Sequence, residues 1–276
     1  MVLPALDLRG MGEVARRDAN RQLVRYLRDR MALSLRRLPG DAQYLDELVT
    51  QAGEAAVSLG YGEGQAYSFY IVTSFLLGLG WQNDPTCGDI EPILASAGMD
   101  QDSRLTMALQ TAIRERQQRE SALASMHAIV LEALPATPDK VSSREMWLTW
   151  DAVTKQRGLS VEMALACYET YECDARQRMG LLPVERTPLN AYQRLGYQHM
   201  GIPLPTVVDD LRDMNEEHIA RLSMHVFLAL AFGRHYLVNP LLHGLHLAVD
   251  EAATLRERWQ RWRDFLHNHH KLLKEA

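Results

Sequence analysis

Residues 13–37 read EVARRDANRQLVRYLRDRMALSLRR. Val14, Leu23, Val24, Leu27, Met31 and Leu35 recur at three- and four-residue steps, the spacing of one face of an amphipathic helix. Pro39-Gly40 stops this helix. The same reading extends outward over almost the whole chain. Asp41 is a suitable N-cap for a second helix that buries Tyr44, Leu45, Leu48, Val49, Ala52 and Ala56 and ends at Gly60. Residues 63–79 predict a third helix, apolar nearly all round, which belongs at the centre of its bundle. A loop at 80–85 follows, where Asp84 precedes a proline and is biased away from helix. A short helix near 92–97, closed by Gly98, leads to a long one over 103–134. The middle of that long helix, 114–120, is entirely polar and is expected to be exposed or interfacial.

Two prolines in 135–141 make this the best linker between two helical blocks. Ser142 with Glu145 forms a capping box for a helix containing Met146, Trp147, Trp150 and Val153, which Gly158 ends. Ser160 caps the next helix, which stops at Gly180. Residues 181–205 are the least regular part, with a short helix expected at 188–195 capped by Thr187. Thr206 is read as the start of a helix to about Phe232, and Asn239-Pro240 as the start of the last one. No alternating strand pattern and no repeat of fixed period is found. The fold class is therefore all-α, a bundle of about nine helices in two packed sub-bundles or one continuous one. The divisions are a segment 1–12, a bundle over 13–134, a linker at 135–141 and a bundle over 142–276.

Composition narrows the functional classes. The 276 residues are 47% apolar and 24% charged with a net charge of −5, which excludes a disordered chain. The acidic balance argues against a dedicated nucleic-acid binder, because such affinity comes from neutralising phosphates. Residues 1–40 nevertheless hold nine arginines and no lysine, and Arg21, Arg25 and Arg28 are either a solvated face or a docking face for an acidic partner. Cys87, Cys167 and Cys173 form no CxxC and suggest buried thiols in a reducing compartment. The most apolar stretches, 69–79 and 222–232, fall short of the roughly 20 residues that span a bilayer. With no signal-peptide pattern at the start, a cytoplasmic location is expected.

No catalytic signature is present. The chain lacks the nucleophile elbow, the phosphate loop, HExxH and the Glu-x-x-His pairs of carboxylate-bridged bundles. Gly60-Tyr61-Gly62-Glu63-Gly64 follows a helix instead of a strand, so it is a helix–helix turn. No cofactor is expected. Seven of the ten histidines lie between 225 and 270. His243, His246 and Asp250 share one helix face and are the single metal-ligand alternative, which would make the chain a metal-dependent bundle enzyme. His267, His269 and His270 suit a helix C-terminus. Asp209, Asp210, Asp213, Glu216 and Glu217 read as a solvated helix start. Trp259 and Trp262, beside Arg256, Arg258, Arg261 and Arg263, have the composition of an interface hot spot, as well as that of a buried seam with arginines reaching outward.

Three stretches carry a family resemblance over about residues 19–134. They are Asn20-Arg-Gln-Leu-Val-Arg-Tyr-Leu-Arg, the turn Leu59-Gly60-Tyr61-Gly62, and Phe75-Leu-Leu-Gly78-Leu-Gly80-Trp81-Gln-Asn-Asp84-Pro85 followed by a short helix. In these the chain resembles small bacterial helical accessory proteins encoded beside the spike, PAAR and effector genes of type VI secretion systems. Trp81-Gln82-Asn83 departs from the Phe-Asp that such proteins commonly have there, and residues from 142 onward fall outside the likeness. The resemblance implies an adaptor or chaperone for a secreted effector toxin or spike component, or a cognate immunity protein that occludes the effector. The partner-binding candidates are Arg21, Arg25, Arg28, Trp81, Asp84, Trp259, Arg261 and Trp262.

Overall fold

A chain whose apolar residues fall on helical stripes has to bury them helix against helix. The computed structural model describes residues 8–38, 42–182, 191–199, 214–250 and 252–275, and among these every regular element is helical. The α-helices are α1 (Leu8–Arg30), α2 (Ala32–Arg36), α3 (Leu45–Ser58), α4 (Gly64–Leu77), α5 (Ile90–Leu94), α6 (Gln101–Ala133), α7 (Ser143–Gln156), α8 (Val161–Met179), α9 (Ala191–His199), α10 (Glu216–Phe232), α11 (His243–Asp250) and α12 (Leu255–Glu275). The fold is all-α, as the sequence pattern predicts.

Local signals set most of the ends. Asp100 accepts from the Ser103 amide to start α6, and Ser142 with Glu145 forms both bonds of the capping box before α7. Gly60 and Gly180 adopt left-handed backbone after α3 and α8. Several boundaries differ from the sequence reading. The first helix breaks at Met31, and a short 3-10 turn, Ala42–Tyr44, precedes α3. Asn215 caps α10, so the helix expected from Thr206 has its described start at Glu216. The helix expected to run unbroken from Asn239 is instead a 3-10 turn, α11 and α12, with a bend before Leu255. Asp41, Thr187, Asp209, Asp210 and Asp213 lie outside the described residues.

Buried side chains form two cores. The first gathers α1, α3, α4, α5 and the N-terminal part of α6, with Leu27, Leu48, Ile71, Trp81 and Ala108. The second gathers the rest of α6 with α7, α8, α10 and α12, including Val130, Trp150, Tyr168, Leu230, Trp259 and Trp262. One helix, α6, therefore serves both cores. Segment 135–141 is packed too. Pro138 and Val141 are buried, and its 3-10 turn Pro138–Lys140 lies against α10 and α12.

The halves repeat each other in three dimensions. Helix α4 ends at Gly78 (φ 102°, ψ 161°) and α10 at Gly233 (φ 97°, ψ 154°). A 3-10 turn follows each, Trp81–Asn83 and Tyr236–Val238. Next comes an extended Asp84 or Asn239, whose side chain accepts from the amide two residues on, and then Pro85 or Pro240 opens a second 3-10 turn. The Tyr70–Trp81 ring pair in one half stands where His225–Tyr236 stands in the other. Helices α3 and α8 also end alike, with Tyr61 bonded to the Ala56 carbonyl and Leu181 to that of Arg176. The copies lean on each other reciprocally. Helix α8 packs on the turn Pro85–Cys87, and α3 on Pro240–Leu242, which puts Leu241 into the first core.

Where α4 and α10 end they meet back to back. A Cβ on Gly233 would sit 2.8 Å from the Leu77 carbonyl oxygen, whereas one on Gly60 would meet nothing within 4 Å. Both glycines have positive φ, so alanine strains the backbone at each by about 1–2 kcal/mol. Gly233→Ala is expected to destabilise well beyond Gly60→Ala, and urea denaturation of the two variants measures the difference.

Candidate functional site

The polar middle of α6 turns one side inward. Arg119 is buried, and Glu115 and Arg116 are largely so, while Arg114, Gln117 and Gln118 face solvent. The expectation of an exposed or interfacial stretch holds for one face alone. The reason lies in α4 and α10. The last carbonyls of any helix have no partner within it, and here they are buried. Arg116 donates to the Leu76 carbonyl (3.1 Å) and Arg119 to that of Leu77 (3.2 Å), which satisfies the end of α4. Arg157, at the end of α7, donates to the Leu230 carbonyl (2.5 Å) in the last turn of α10. Cations at helix C-termini are also favoured by the dipole.

Buried cations need anions. Glu115 pairs with Arg157 and lies 3.6 Å from Arg119. Asp84 is 2% exposed. Its Oδ1 accepts from the Thr86 amide (3.0 Å), the Thr86 hydroxyl (2.9 Å) and the Tyr171 hydroxyl (3.0 Å). Its Oδ2 accepts from the Arg234 amide (2.9 Å). Arg119 reaches the Thr86 hydroxyl (3.3 Å). The Arg234 side chain grips Asp174 through two bonds, 2.7 and 2.8 Å, and donates to the Asn83 carbonyl (2.8 Å). Asp84, Glu115 and Asp174 thus balance Arg119, Arg157 and Arg234, and the cluster joins α6, α7, α8 and both interhelical turns.

Its electrostatics favour fixed charge over proton traffic. Burial alone would raise the Asp84 carboxyl, but the Arg119 guanidinium and the bonds from Arg234 and Thr86 outweigh it and hold the group below the usual carboxylate range. Burial, then the Asp84 charge, pushes the Tyr171 hydroxyl well above its ordinary value. The same two causes raise the Cys87 and Cys167 thiols to about 12, so neither is a thiolate nucleophile near neutrality. Cys173, read from sequence as buried, is exposed.

The sequence-predicted binding residues separate into two groups. Arg21, Arg25 and Arg28 are exposed on α1, where Arg21 pairs with Asp18 (3.4 Å) and Arg28 with Asp46 (3.5 Å). Arg261 pairs with Glu257 (2.5 Å) at the surface of α12. Trp81, Trp259 and Trp262 are at most 1% exposed, so they fill the cores and present nothing to a partner. The Trp259 indole donates to the Pro135 carbonyl (3.1 Å), and Arg263 beside it donates to Leu131 and Leu134. Asp84 is likewise interior. Its counterpart Asn239 points to the signal that sequence reading missed. Gly-x-x-Trp/Tyr-x-x-Asp/Asn-Pro occurs at both 78–85 and 233–240.

The histidines of the metal alternative are engaged elsewhere. His246 donates to the Tyr236 carbonyl (2.8 Å), and the His243 ring lies against Tyr44, centroids 4.6 Å apart. The side chain of Asp250 lies outside the described residues, among which no cluster of three or more potential ligands occurs. Of the three C-terminal histidines His267 is exposed, while the other two are tied into the interior. His269 is 3% exposed, bonds His127 (2.9 Å) and donates to the Arg37 carbonyl (2.7 Å), and His270 donates to the Ala124 carbonyl (2.8 Å).

An apolar groove lies open on the second helical block. It has a volume of about 330 Å³ between α7 and α8 and is lined by Trp147, Leu159 and Tyr168 together with Leu148 and Val161, which are 61% and 70% exposed. No protein-family model, curated protein or solved structure matches this chain.

Two outcomes follow from the buried charges. Asp84→Ala removes one of the two carboxylates, with Glu115, that offset the buried Arg119 and is expected to cost about 3–5 kcal/mol in urea denaturation, whereas Asp151→Ala, which frees the exposed Lys155, should cost far less. Burial lowers His127 and His269 below the usual imidazole value of 6.5, with His269 adding to the effect on His127. Burial also takes His225 to about 3. Below about pH 6.5 the unfolded rings bind protons that the folded ones refuse, so stability falls as pH falls. Urea midpoints between pH 7.5 and 5 should show that decline, and His127→Gln should make it shallower.

Proposed function

We propose that this chain is a binding protein, an adaptor or chaperone that holds a secreted effector of a type VI secretion system, and that its charged interior is scaffold. The reading rests on the resemblance of residues 19–134 and on one physical contrast. Asp84, Glu115, Arg119 and Arg157 are committed to one another and to helix ends, while the apolar groove of α7 and α8 offers exposed Leu148 and Val161. Exposed apolar surface in a concave setting gains from being covered, and tryptophan at such a site supplies large contact area.

The test is co-purification from the native host, then reconstitution with the secreted effector so identified. A stable complex is expected on size-exclusion chromatography, and the pair Leu148→Asp with Val161→Asp should weaken it by at least about tenfold, the loss of a hot spot. Both side chains are largely exposed, so the variant retains its core. Effector export at the normal level from cells lacking the gene would overturn the adaptor reading. Export at the normal level together with self-poisoning would replace it with that of a cognate immunity protein.

A further inference from the structure

The internal repeat supplies its own control for a second site. In each half a depression opens where α3 or α8 ends, beside the following long helix and its 3-10 turn. In the N-terminal half Ala55, Ser58, Leu59, Tyr70 and Gln82 line it. In the C-terminal half the equivalent places hold Ala175, Arg178, Met179, His225 and Leu237. The equivalence follows from the matching ends of α3 and α8 and from the matching ring pairs Tyr70–Trp81 and His225–Tyr236. A serine, a tyrosine and a glutamine satisfy the fold at these places, so packing does not call for arginine or histidine there.

The second depression, about 190 Å³, gains two further arginines, Arg221 from α10 and Arg258 from α12. Arg221 is paired with Glu217 (2.6 Å). Arg178 and Arg258 have no carboxylate partner among the described residues, and the Nε groups of Arg221 and Arg258 are buried without a hydrogen-bond acceptor among them. His225 is 5% exposed. Its Nδ1 lies 3.1 Å from the Tyr236 hydroxyl, and its Nε2 is buried with no partner among the described residues. Met179, Met224 and Leu237 complete the lining.

We propose that this pocket binds the dianionic phosphate group of a small ligand. Arg178 and Arg258 supply two positive charges that no described carboxylate neutralises, and guanidinium forks match phosphate oxygens. Arg221 donates further N–H bonds while remaining paired to Glu217, and the methionines and Leu237 suit an apolar substituent on the phosphate. The site shares no lining residue with the α7–α8 groove and does not depend on the adaptor reading.

Calorimetric titration of the full chain at constant ionic strength tests it, with inorganic phosphate and phenyl phosphate as separate probes. Saturable one-to-one binding is expected, weakened at least about tenfold in Arg178→Gln with Arg258→Gln, since each charged hydrogen bond lost carries that order of effect. The pair Arg25→Gln with Arg30→Gln, which removes the same charge from the exposed face of α1, should bind as the parent does. Tighter binding of phenyl phosphate assigns the site to an organic phosphate, and equal binding assigns it to free phosphate. Absence of saturable binding of either probe to the parent overturns the proposal whatever the variants do. Equal losses in the two arginine pairs, or none in the pocket pair, overturn it too.

Discussion

Helices α4 and α10 end in the interior, and a buried helix end has carbonyls that neither the helix nor water can satisfy. Arg116, Arg119 and Arg157 donate to them, and each cation so buried must find an anion. That need explains Glu115 in the middle of α6, and it explains why Asp84, at a turn, accepts four hydrogen bonds and stays charged. Removing one member of such a set costs far more than the set contributes as a whole, because what remains is an uncompensated charge in a poor solvent. The cluster is therefore best understood as a device that holds two helical halves in one register.

The same constraint shapes the backbone. Two helices can end back to back only if little stands between them, which is why Gly78 and Gly233 face the other helix's last carbonyl with no side chain of their own. Their positive φ then turns the chain into a 3-10 turn and an Asx-capped proline turn, once in each half. The halves differ in chemistry at equivalent places. Asp84 is charged and tied to arginines, whereas Asn239 is neutral and caps only its own turn. The depression beside α3 is neutral, and its counterpart beside α8 is rich in arginine. The backbone path is shared where packing demands it, and charge differs between the two depressions.

The protein thus presents surfaces of different kind. Leu148 and Val161 border an apolar groove that a macromolecule could cover, and Arg178, Arg221 and Arg258 ring a small cationic pocket. The arginines of α1 stay solvated beside Asp18 and Asp46. The tryptophans near the C-terminus bury in the second core while Arg261 and Arg263 remain at its edge, so a Trp/Arg composition by itself does not mark an interface.

Local chemistry in the sequence determined the helical class, the centrality of α4, the capping box at Ser142 and the stops at Gly60, Gly158 and Gly180, because these depend on side-chain periodicity and on groups within a few residues of each other. It did not reveal which side of 114–120 turns inward, that Trp81 is interior, which of the two readings holds for Trp259 and Trp262, or that His269 meets His127. Those facts depend on helix ends brought together from positions far apart in the chain, and no local pattern encodes the distance between two such ends. The repeat was written in two short segments, 78–85 and 233–240, but only four positions of each are constrained by the turn geometry, so it became plain only when both copies were seen to adopt one backbone path.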